Sequence, residues 1–500
     1  MTAACPRHAV TPTARPEAVL RVIQSVSTRK QSSSFEGLGA VLVVYSQGWA
    51  CNGLLRRGTP PMLLSFRFAN HRSFRDEHQL NLMPVYGDGV EADELAPQAV
   101  QVVGIFGANA SGKSNCLGAL GFMRQMVVES DRAVEPGVGL SREPFRLDPD
   151  TATQPSRYVV DLMLGGVRHT YGFTIDDDRV LDEWLYHYPL SRRRRIFERD
   201  GSEFSWGEES GRRPLEQIAE ITAPTALFLS TVARFGHSRP EPDPANPQPL
   251  HDTYRWFYLM SQRTDPASGL SALVRAGSSD AEKVRQLVVD LLQAADVGIV
   301  DIVVRPDSSV EAQASPGTFM QRLKSAAAAA LTRYPRIQFA HQGPNGTALL
   351  DFHDQSSGTR QLLTLGLHAA AMLRTGATML IDEIDASLHP ILTAKLISLF
   401  RSPQANPLGS QLIFTSHDAA LLGTIDAEEI LRRDEIWFVE KDDQGTSSLY
   451  PLTDFKPRKE GENRQRRYLN GNYGAVPDLS SHLFEQALAT RGDVDDTSTR

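Results

Sequence analysis

Gly107-Ala-Asn-Ala-Ser-Gly112-Lys113-Ser114 closes a glycine-bounded turn and follows it at once with lysine and serine. Glycine lets the backbone come close to an anion and aim successive N–H groups at it. Upstream, Gln101 to Phe106 is a short apolar run of strand character. Downstream, Lys113 to Val128 sets Leu117, Leu120, Met123 and Val127 on one helical face. Strand, glycine-rich loop and helix, in that order, make a phosphate cradle with a helix N-terminus pointed at the same anion. The expected ligand is ATP with Mg²⁺. Lys113 is expected to reach the β and γ phosphates and Ser114 to ligate the metal, with Gly107, Asn109, Ser111, Gly112 and Asn115 completing the contacts.

A second element answers the first. Ala377-Thr-Met-Leu-Ile-Asp382-Glu383 is an apolar run that ends on an acidic pair. Such a run suits a central strand of a parallel sheet, whose C-terminal edge gathers ligands. Asp382 is expected to hold Mg²⁺, and Glu383 to orient or deprotonate the attacking water. Gln411-Leu-Ile-Phe-Thr-Ser-His417 is a further strand that ends on a histidine. Ser356-Ser-Gly-Thr-Arg360 opens a helix and resembles the L-S-G-G-Q signature of ABC-type ATPases, with Ser for Leu, Thr for the second Gly and Arg for Gln. Asp385-Ala-Ser387-Leu-His389-Pro390 falls where that class has its D-loop. The resemblance implies that His417 senses the γ-phosphate. It also implies that Ser357, Gly358 and Arg360 face the ATP of a second copy, so that a homodimer forms in the ATP state.

Composition narrows the alternatives. The 500 residues carry a formal charge of −8, which excludes a general nucleic-acid coat and leaves only local basic patches. No apolar run approaches the roughly 20 residues of a membrane helix. Cys5, Cys51 and Cys116 are widely separated, with no C-x-x-C pair, as in a reducing compartment. A cytoplasmic protein without membrane contact is expected.

Residues 1–61 mix Thr, Ser, Pro, Ala and Arg without sustained periodicity. They read as a disordered leader, an early-called start with Met62 as the true one, or an Arg-rich transit peptide. Residues 62–205 form an N-terminal ATPase half with the phosphate loop and a β lobe, since Tyr171, Phe173 and Ile175 alternate, as do Trp184, Tyr186 and Tyr188. Residues 206–335 read as a mainly helical insert, in which Ser230 to Asp252 is a mobile loop and Thr318 to Leu331 a helix. Residues 336–480 form the C-terminal half, and 481–500 a polar tail. The fold class is α/β: a mixed sheet with flanking helices, an antiparallel lobe and no long coiled coil.

From Met62 to about Leu479 the chain resembles the OLD-like ABC ATPases of bacteria, relatives of RecF and the SMC proteins. Asn70-His-Arg-Ser-Phe74 is similar to the N-F-R-S-F segment of that class, with His71 in place of Phe, and implies that Arg72 touches the nucleotide phosphates. No Q-loop glutamine is evident; Pro144-Phe-Arg occupies its neighbourhood. Arg433-Asp-Glu-Ile-Trp-Phe-Val-Glu-Lys441 and Arg467-Tyr-Leu-Asn-Gly-Asn-Tyr-Gly-Ala-Val-Pro477 resemble the subgroup that works with a small RloB-type or AbiL-type partner in phage defence. That implies a separate, Toprim-like effector. An intrinsic nuclease is not expected: Glu440 lacks a following strand with D-x-D, and Asp493-Val-Asp495 lies in the tail. Arg192–Arg195 and Lys456–Arg467 are basic clusters able to meet a nucleic acid. Two other readings stand beside the defence ATPase: a RecF/SMC-like DNA-repair ATPase, and a nucleotide-gated scaffold without significant turnover. Glu383 speaks against the scaffold, which needs no water-activating carboxylate.

Overall fold

Period-two alternation builds the larger sheet. In β1 (Met62–Ala69), Leu64, Phe66 and Phe68 are buried on one face, and Arg67 lies on the other. The computed structural model describes residues 60–86, 99–133, 139–207, 212–235, 248–262, 285–286, 289–290, 292–293, 298–305, 336–425, 428–458 and 461–477. All belong to one unit, Cys51–Arg500. β1 pairs with β2 (His78–Asn81), while β3 (Val102–Phe106) enters another sheet. β4 (Ser156–Leu164) pairs with the free side of β1, and β5 (Val167–Ile175), β6 (Val180–Tyr188), β7 (Arg194–Asp200) and β8 (Glu203–Trp206) follow as antiparallel neighbours. The order is β2-β1-β4-β5-β6-β7-β8.

The inner face of this sheet packs on the helix that follows the phosphate loop. α1 (Lys113–Ala133) buries Leu117, Leu120, Met123 and Val127, the face read from the sequence. A short α2 (Pro149–Thr153) begins with its N-cap Asp148 accepting from the Asp150 N–H. α3 (Arg212–Ile221), α4 (Phe228–Phe235) and α5 (Pro249–Leu259) add a helical layer, α4 and α5 lying against α1. The stretch Ser230 to Asp252, expected to be a loop, is helical at both described ends. Buried Phe228 and Leu229 anchor α4, and Pro249 opens α5 at a position where its missing N–H costs nothing. The middle of that stretch, the Thr318–Leu331 helix, the tail from 481 and nearly all of 1–61 lie outside the described residues.

A second sheet carries the motifs. The small sheet of β9 (Ile299–Arg305), β10 (Arg336–Gly343) and β11 (Gly346–Asp351) precedes it and spans residue 335, where the sequence reading divides insert from C-terminal half. After α6 (Ser357–Thr375) comes β12 (Thr378–Ile381), then α7 (Pro390–Arg401) and β13 (Gln411–Ser416). A two-stranded ribbon, β14 (Thr424–Ile425) with β15 (Glu428–Glu429), leads to β16 (Ile436–Lys441), β17 (Ser447–Pro451) and α8 (Arg464–Leu469). The sheet order is β12-β13-β3-β16-β17, parallel except for the last pair. One strand from the N-terminal half is thus inserted among strands of the C-terminal half. This is the mixed α/β architecture that the sequence reading expects, with an antiparallel lobe beside the motif-bearing sheet. Among the described residues no helix is long and apolar enough to cross a membrane.

One buried group pins the helical layer to the lobe. Glu183 on β6 is fully buried and accepts from the Phe228 and Leu229 N–H groups at the start of α4, at 2.6 and 3.0 Å. Tyr171 donates to it at 2.9 Å, and Arg199 stands 3.8 Å away. Burial pushes its carboxyl upward, while Arg199 and the donated bonds pull it back toward the charged form. Glu183→Ala leaves Arg199 buried without its counter-charge and two amides without an acceptor. The expected loss is about 3–5 kcal/mol of stability, read as a lower denaturant midpoint. A midpoint equal to the parent's contradicts this anchoring role.

Candidate functional site

The parallel strands end side by side, so the loops after β3, β12 and β13 share one edge. The phosphate loop leaves β3 at Gly107. A Cβ there would stand 2.3 Å from the Val439 carbonyl oxygen, so β16 admits only glycine. Gly112 has φ +113, and a Cβ on it would meet Ser447 Oγ at 2.4 Å. Asn109 and Ala110 form the exposed crest, with Ala110 at φ 61. Ser111 is buried, and its Oγ has no hydrogen-bond partner.

Hydroxyls brace the loop from behind. Ser447 Oγ lies 2.6 Å from the Ser111 carbonyl and 2.7 Å from Ser73 Oγ. A carbonyl only accepts, so Ser447 donates to Ser111 and must accept from Ser73. Asn115 Nδ2 donates to Ser73 Oγ at 2.7 Å, and the Ser447 N–H donates to the Ser73 carbonyl at 2.7 Å. β17, the turn after β1 and the first turn of α1 thereby hold one geometry.

Lys113 turns back into the loop, its Nζ donating to the Gly107 and Ala108 carbonyls at 2.9 Å each. Burial lowers its pKa, against the pull of Glu383, Asp382 and Asp385. Ser114 Oγ is 3.0 Å from Asp382 Oδ1, a contact between residues 268 positions apart. Thr415 Oγ1 donates to the same Oδ1 at 2.6 Å and accepts from the Glu383 N–H at 2.8 Å. Glu383 has φ 51, a left-handed conformation that costs a non-glycine residue about 1–3 kcal/mol. The Ile384 N–H, on the Thr415 carbonyl at 3.1 Å, secures the same turn. Its neighbour on the edge, His417, is exposed and ion-paired through Nδ1 to Asp385 Oδ2 at 3.1 Å, when protonated.

The donor set fits a nucleotide with its metal. A loop whose glycines are pressed against β16 and Ser447, an unpartnered buried hydroxyl at Ser111 and an ammonium resting on loop carbonyls suit a polyphosphate. A hydroxyl and a carboxylate 3.0 Å apart are hard oxygen donors suited to Mg²⁺.

The remaining sequence candidates fall into two places. Ser356 caps α6 by accepting from the Thr359 N–H at 3.1 Å. A Cβ on Gly358 would lie 2.8 Å from the Ser387 carbonyl, so the start of α6 is seated on the turn that follows Glu383. Arg360 donates to the His353 carbonyl at 3.2 Å. Among the described residues no hydrogen bond or ion pair joins Ser357, Gly358 or Arg360 to the phosphate loop. Arg72 sits beside the loop helix, with Nη1 near Gly118, and is clasped by Glu143 at 2.5 Å. Its turn explains the replacement in the N-F-R-S-F pattern. His71 is buried against Phe122 and Tyr158, and burial and Arg72 push its pKa down to about 3, so the neutral ring serves as an aromatic. Arg72, Glu143, Asn115 and Phe145 line a cavity of about 340 Å³.

Sequence reading missed Thr415 and Glu143. A threonine near the end of an otherwise apolar strand was the available signal for the first. Glu143 directly precedes the Pro144-Phe-Arg stretch, but nothing local marks its pairing with Arg72. The two segments that resemble the partnered subgroup fold against each other: Phe438 stacks on Tyr468 and Tyr473, with ring centroids 5.6 and 5.5 Å apart. Within the second basic cluster, Arg464 is buried on Glu429 and the Leu431 carbonyl, and Arg467 is paired with Glu462 and lies over Tyr473. Both cations are engaged in holding the fold together, Arg464 from a buried position.

Several solved structures are similar in part. The SMC head bound to the C-winged helix domain of ScpA is 12% identical over 79% of this chain and 99% of its own, with a TM-score of 0.41. The SMC head domain from Thermotoga maritima is 14% identical over 78% and 98%, with a TM-score of 0.35. The recombination mediator RecF of the RecFOR pathway is 12% identical over 78% and 98%, with a TM-score of 0.32. No curated protein sequence matches. The model of the family described as "AAA domain, putative AbiEii toxin, Type IV TA system" matches residues 102–423, from the strand before the phosphate loop to just past His417. The chain belongs to this AAA ATPase family.

Proposed function

We propose that this protein hydrolyses ATP between two copies of itself and acts as the regulatory subunit of a cytoplasmic anti-phage system of abortive-infection type, through a separate effector protein. The observation that carries the ATPase reading is the meeting of Ser114 and Asp382 at 3.0 Å, with Glu383 held in a strained turn beside them. Strain of this kind persists where surrounding structure enforces it, as Thr415 does here. When bound, ATP with Mg²⁺ supplies the electrophilic phosphorus and the cation that offsets charge on the phosphates.

The chain's own groups do the rest. The loop amides from Gly107 to Ser114 bind phosphate oxygens, and Lys113 exchanges two carbonyls for them. Ser114 and Asp382 are the residues that would hold the metal. Glu383 orients a water and accepts its proton at the carboxylate, while His417 is positioned by Asp385. Ser357, Gly358 and Arg360 act across the dimer, a reading supported by the close seat of Gly358 on the Ser387 carbonyl and by the lack, among the described residues, of a hydrogen bond or ion pair from these three to their own phosphate loop. The defence role rests on the family's association with a toxin of a Type IV TA system and on the packed pair of segments around Phe438. Co-purification from native cells with and without phage tests it; recovery of only replication or recombination proteins favours the RecF/SMC-like alternative.

Three variants separate the roles. Glu383→Gln is expected to bind ATP, accumulate as a dimer in light-scattering chromatography and turn over about 100- to 10,000-fold more slowly. Hydrolysis at the parent rate removes Glu383 from the mechanism. Lys113→Ala deletes a charge-assisted bond, so ATP affinity measured by calorimetry falls roughly 10- to 100-fold; unchanged affinity contradicts the loop assignment. Thr415→Val keeps the shape but leaves the Glu383 N–H without its acceptor. Turnover then drops about tenfold with KM little altered, and Thr415→Ser restores it. A change in KM alone refutes the positioning role.

A further inference from the structure

Beyond the nucleotide site, and independently of it, we propose that the outer face of the seven-stranded sheet binds single-stranded nucleic acid. Along β6, Glu183, Leu185 and His187 are buried on the inner face, and Trp184, Tyr186 and Tyr188 occupy the outer face half-buried. Alternate side chains on a strand lie about 6.6 Å apart, a step that an extended single strand can follow base by base. Each ring carries a guanidinium: Arg157 lies 5.1 Å from the Trp184 centroid, Arg193 4.3 Å from Tyr186 and Arg168 5.1 Å from Tyr188.

The neighbouring strand lets the row lie close to the sheet. Opposite Trp184 and Tyr186, β5 places Gly172 and Thr170. A Cβ on Gly172 would stand 2.5 Å from Trp184 Cζ2, so the indole lies down over the glycine. The row runs into the Pro189-Leu190-Ser191 turn, where Leu190 and Ser191 have φ 54 and 63 and Leu190 is 93% exposed. Arg192 to Arg195 follow at once. An apolar tip beside four arginines, at the end of an aromatic row, is a poor plain solvent surface and a good platform for bases with phosphates alongside.

The charges favour a polyanion. Asp161 is buried, hydrogen-bonded by Ser65 and Thr170, and bracketed by Arg168 at 3.0 Å and Arg67 at 3.8 Å. Glu198 is occupied by Tyr186 and by Arg195 at 2.8 Å. Asp182 marks the far end of the row, with Asp200 opposite it and Glu203 beyond, so the basic end of the face is the one at Tyr186 and Tyr188. Arg157 and Arg193 make no ion pair among the described residues. In a chain of net charge −8, this grouping of arginines is local. A base that lands on a ring displaces the guanidinium, which is then free to meet the adjacent phosphate. Stacking of a base on an aromatic ring outweighs the exposed cation–π contact it replaces.

The test uses the full chain and a fluorescein-labelled oligothymidylate of about 20 nucleotides, with a duplex of the same length as comparison. Anisotropy is expected to report binding of the single strand in preference to the duplex. The double variant Trp184→Leu, Tyr188→Leu should bind about tenfold more weakly or worse. Arg157→Gln with Arg193→Gln should reduce the slope of log K against log salt by about 1.4, the value for two phosphate contacts on a single strand. Melting temperatures equal to the parent's establish that these surface variants fold. Lys456→Gln with Arg466→Gln, in the other basic cluster, should bind like the parent. No binding of the single strand, tighter binding of the duplex, parental affinity in both face variants, or binding to anionic phosphatidylserine vesicles without binding to oligonucleotide each overturns the proposal.

Discussion

A single hydroxyl joins the two acidic residues on which the site depends, one through its carboxylate and the other through its backbone amide. Thr415 Oγ1 donates to Asp382 and accepts from the Glu383 amide. It can do so because β13 lies between β12 and β3, so the end of one strand reaches the turn of its neighbour. Without that bond the left-handed turn at Glu383 has lost a main restraint on a conformation that costs about 1–3 kcal/mol. The same strand order brings Asp382 to Ser114. The chemistry of the edge therefore follows from sheet topology, which follows in turn from the burial of short apolar strands on both faces.

The phosphate loop shows the complementary constraint. Its shape is imposed from outside, by the Val439 carbonyl at Gly107 and by the chain of hydroxyls from Asn115 through Ser73 and Ser447 to Ser111. These groups come from β16, β17, α1 and the turn after β1. The site is thus pre-formed by the union of the two halves of the chain, and neither half contains it alone.

Much of this was legible in the sequence, for a physical reason. The loop, the acidic pair and the strand-end histidine are local patterns: glycine where the backbone needs it, apolar runs where strands are buried. The edge that unites them could be inferred because parallel sheets collect ligands at one end. What escaped notice depends on pairings between distant residues. Glu143 meets Arg72 across 71 positions and Thr415 meets Asp382 across 33, and neither leaves a local periodicity. The sheet of β9, β10 and β11 escaped because its first strand is separated from its second by a long interval. The buried His71 was visible only as an irregularity in a motif; its role as an aromatic needed the packing of Phe122 and Tyr158.

The lobe makes the same distinction on a larger scale. Alternation alone identified Trp184, Tyr186 and Tyr188 as one face of a strand, but not which face met the core. The partner strands decide this. Gly172 opposite Trp184 and arginines from β4, β5 and the β6–β7 turn turn a periodic stripe into a surface of rings and cations. The inner face of the same strand carries Glu183, whose burial ties α4 to the lobe. One nine-residue strand therefore holds the helical layer on one side and displays an unusual surface on the other. Any ligand that grips the outer face acts on a strand already coupled, through Glu183 and α4, to the helix that begins at Lys113.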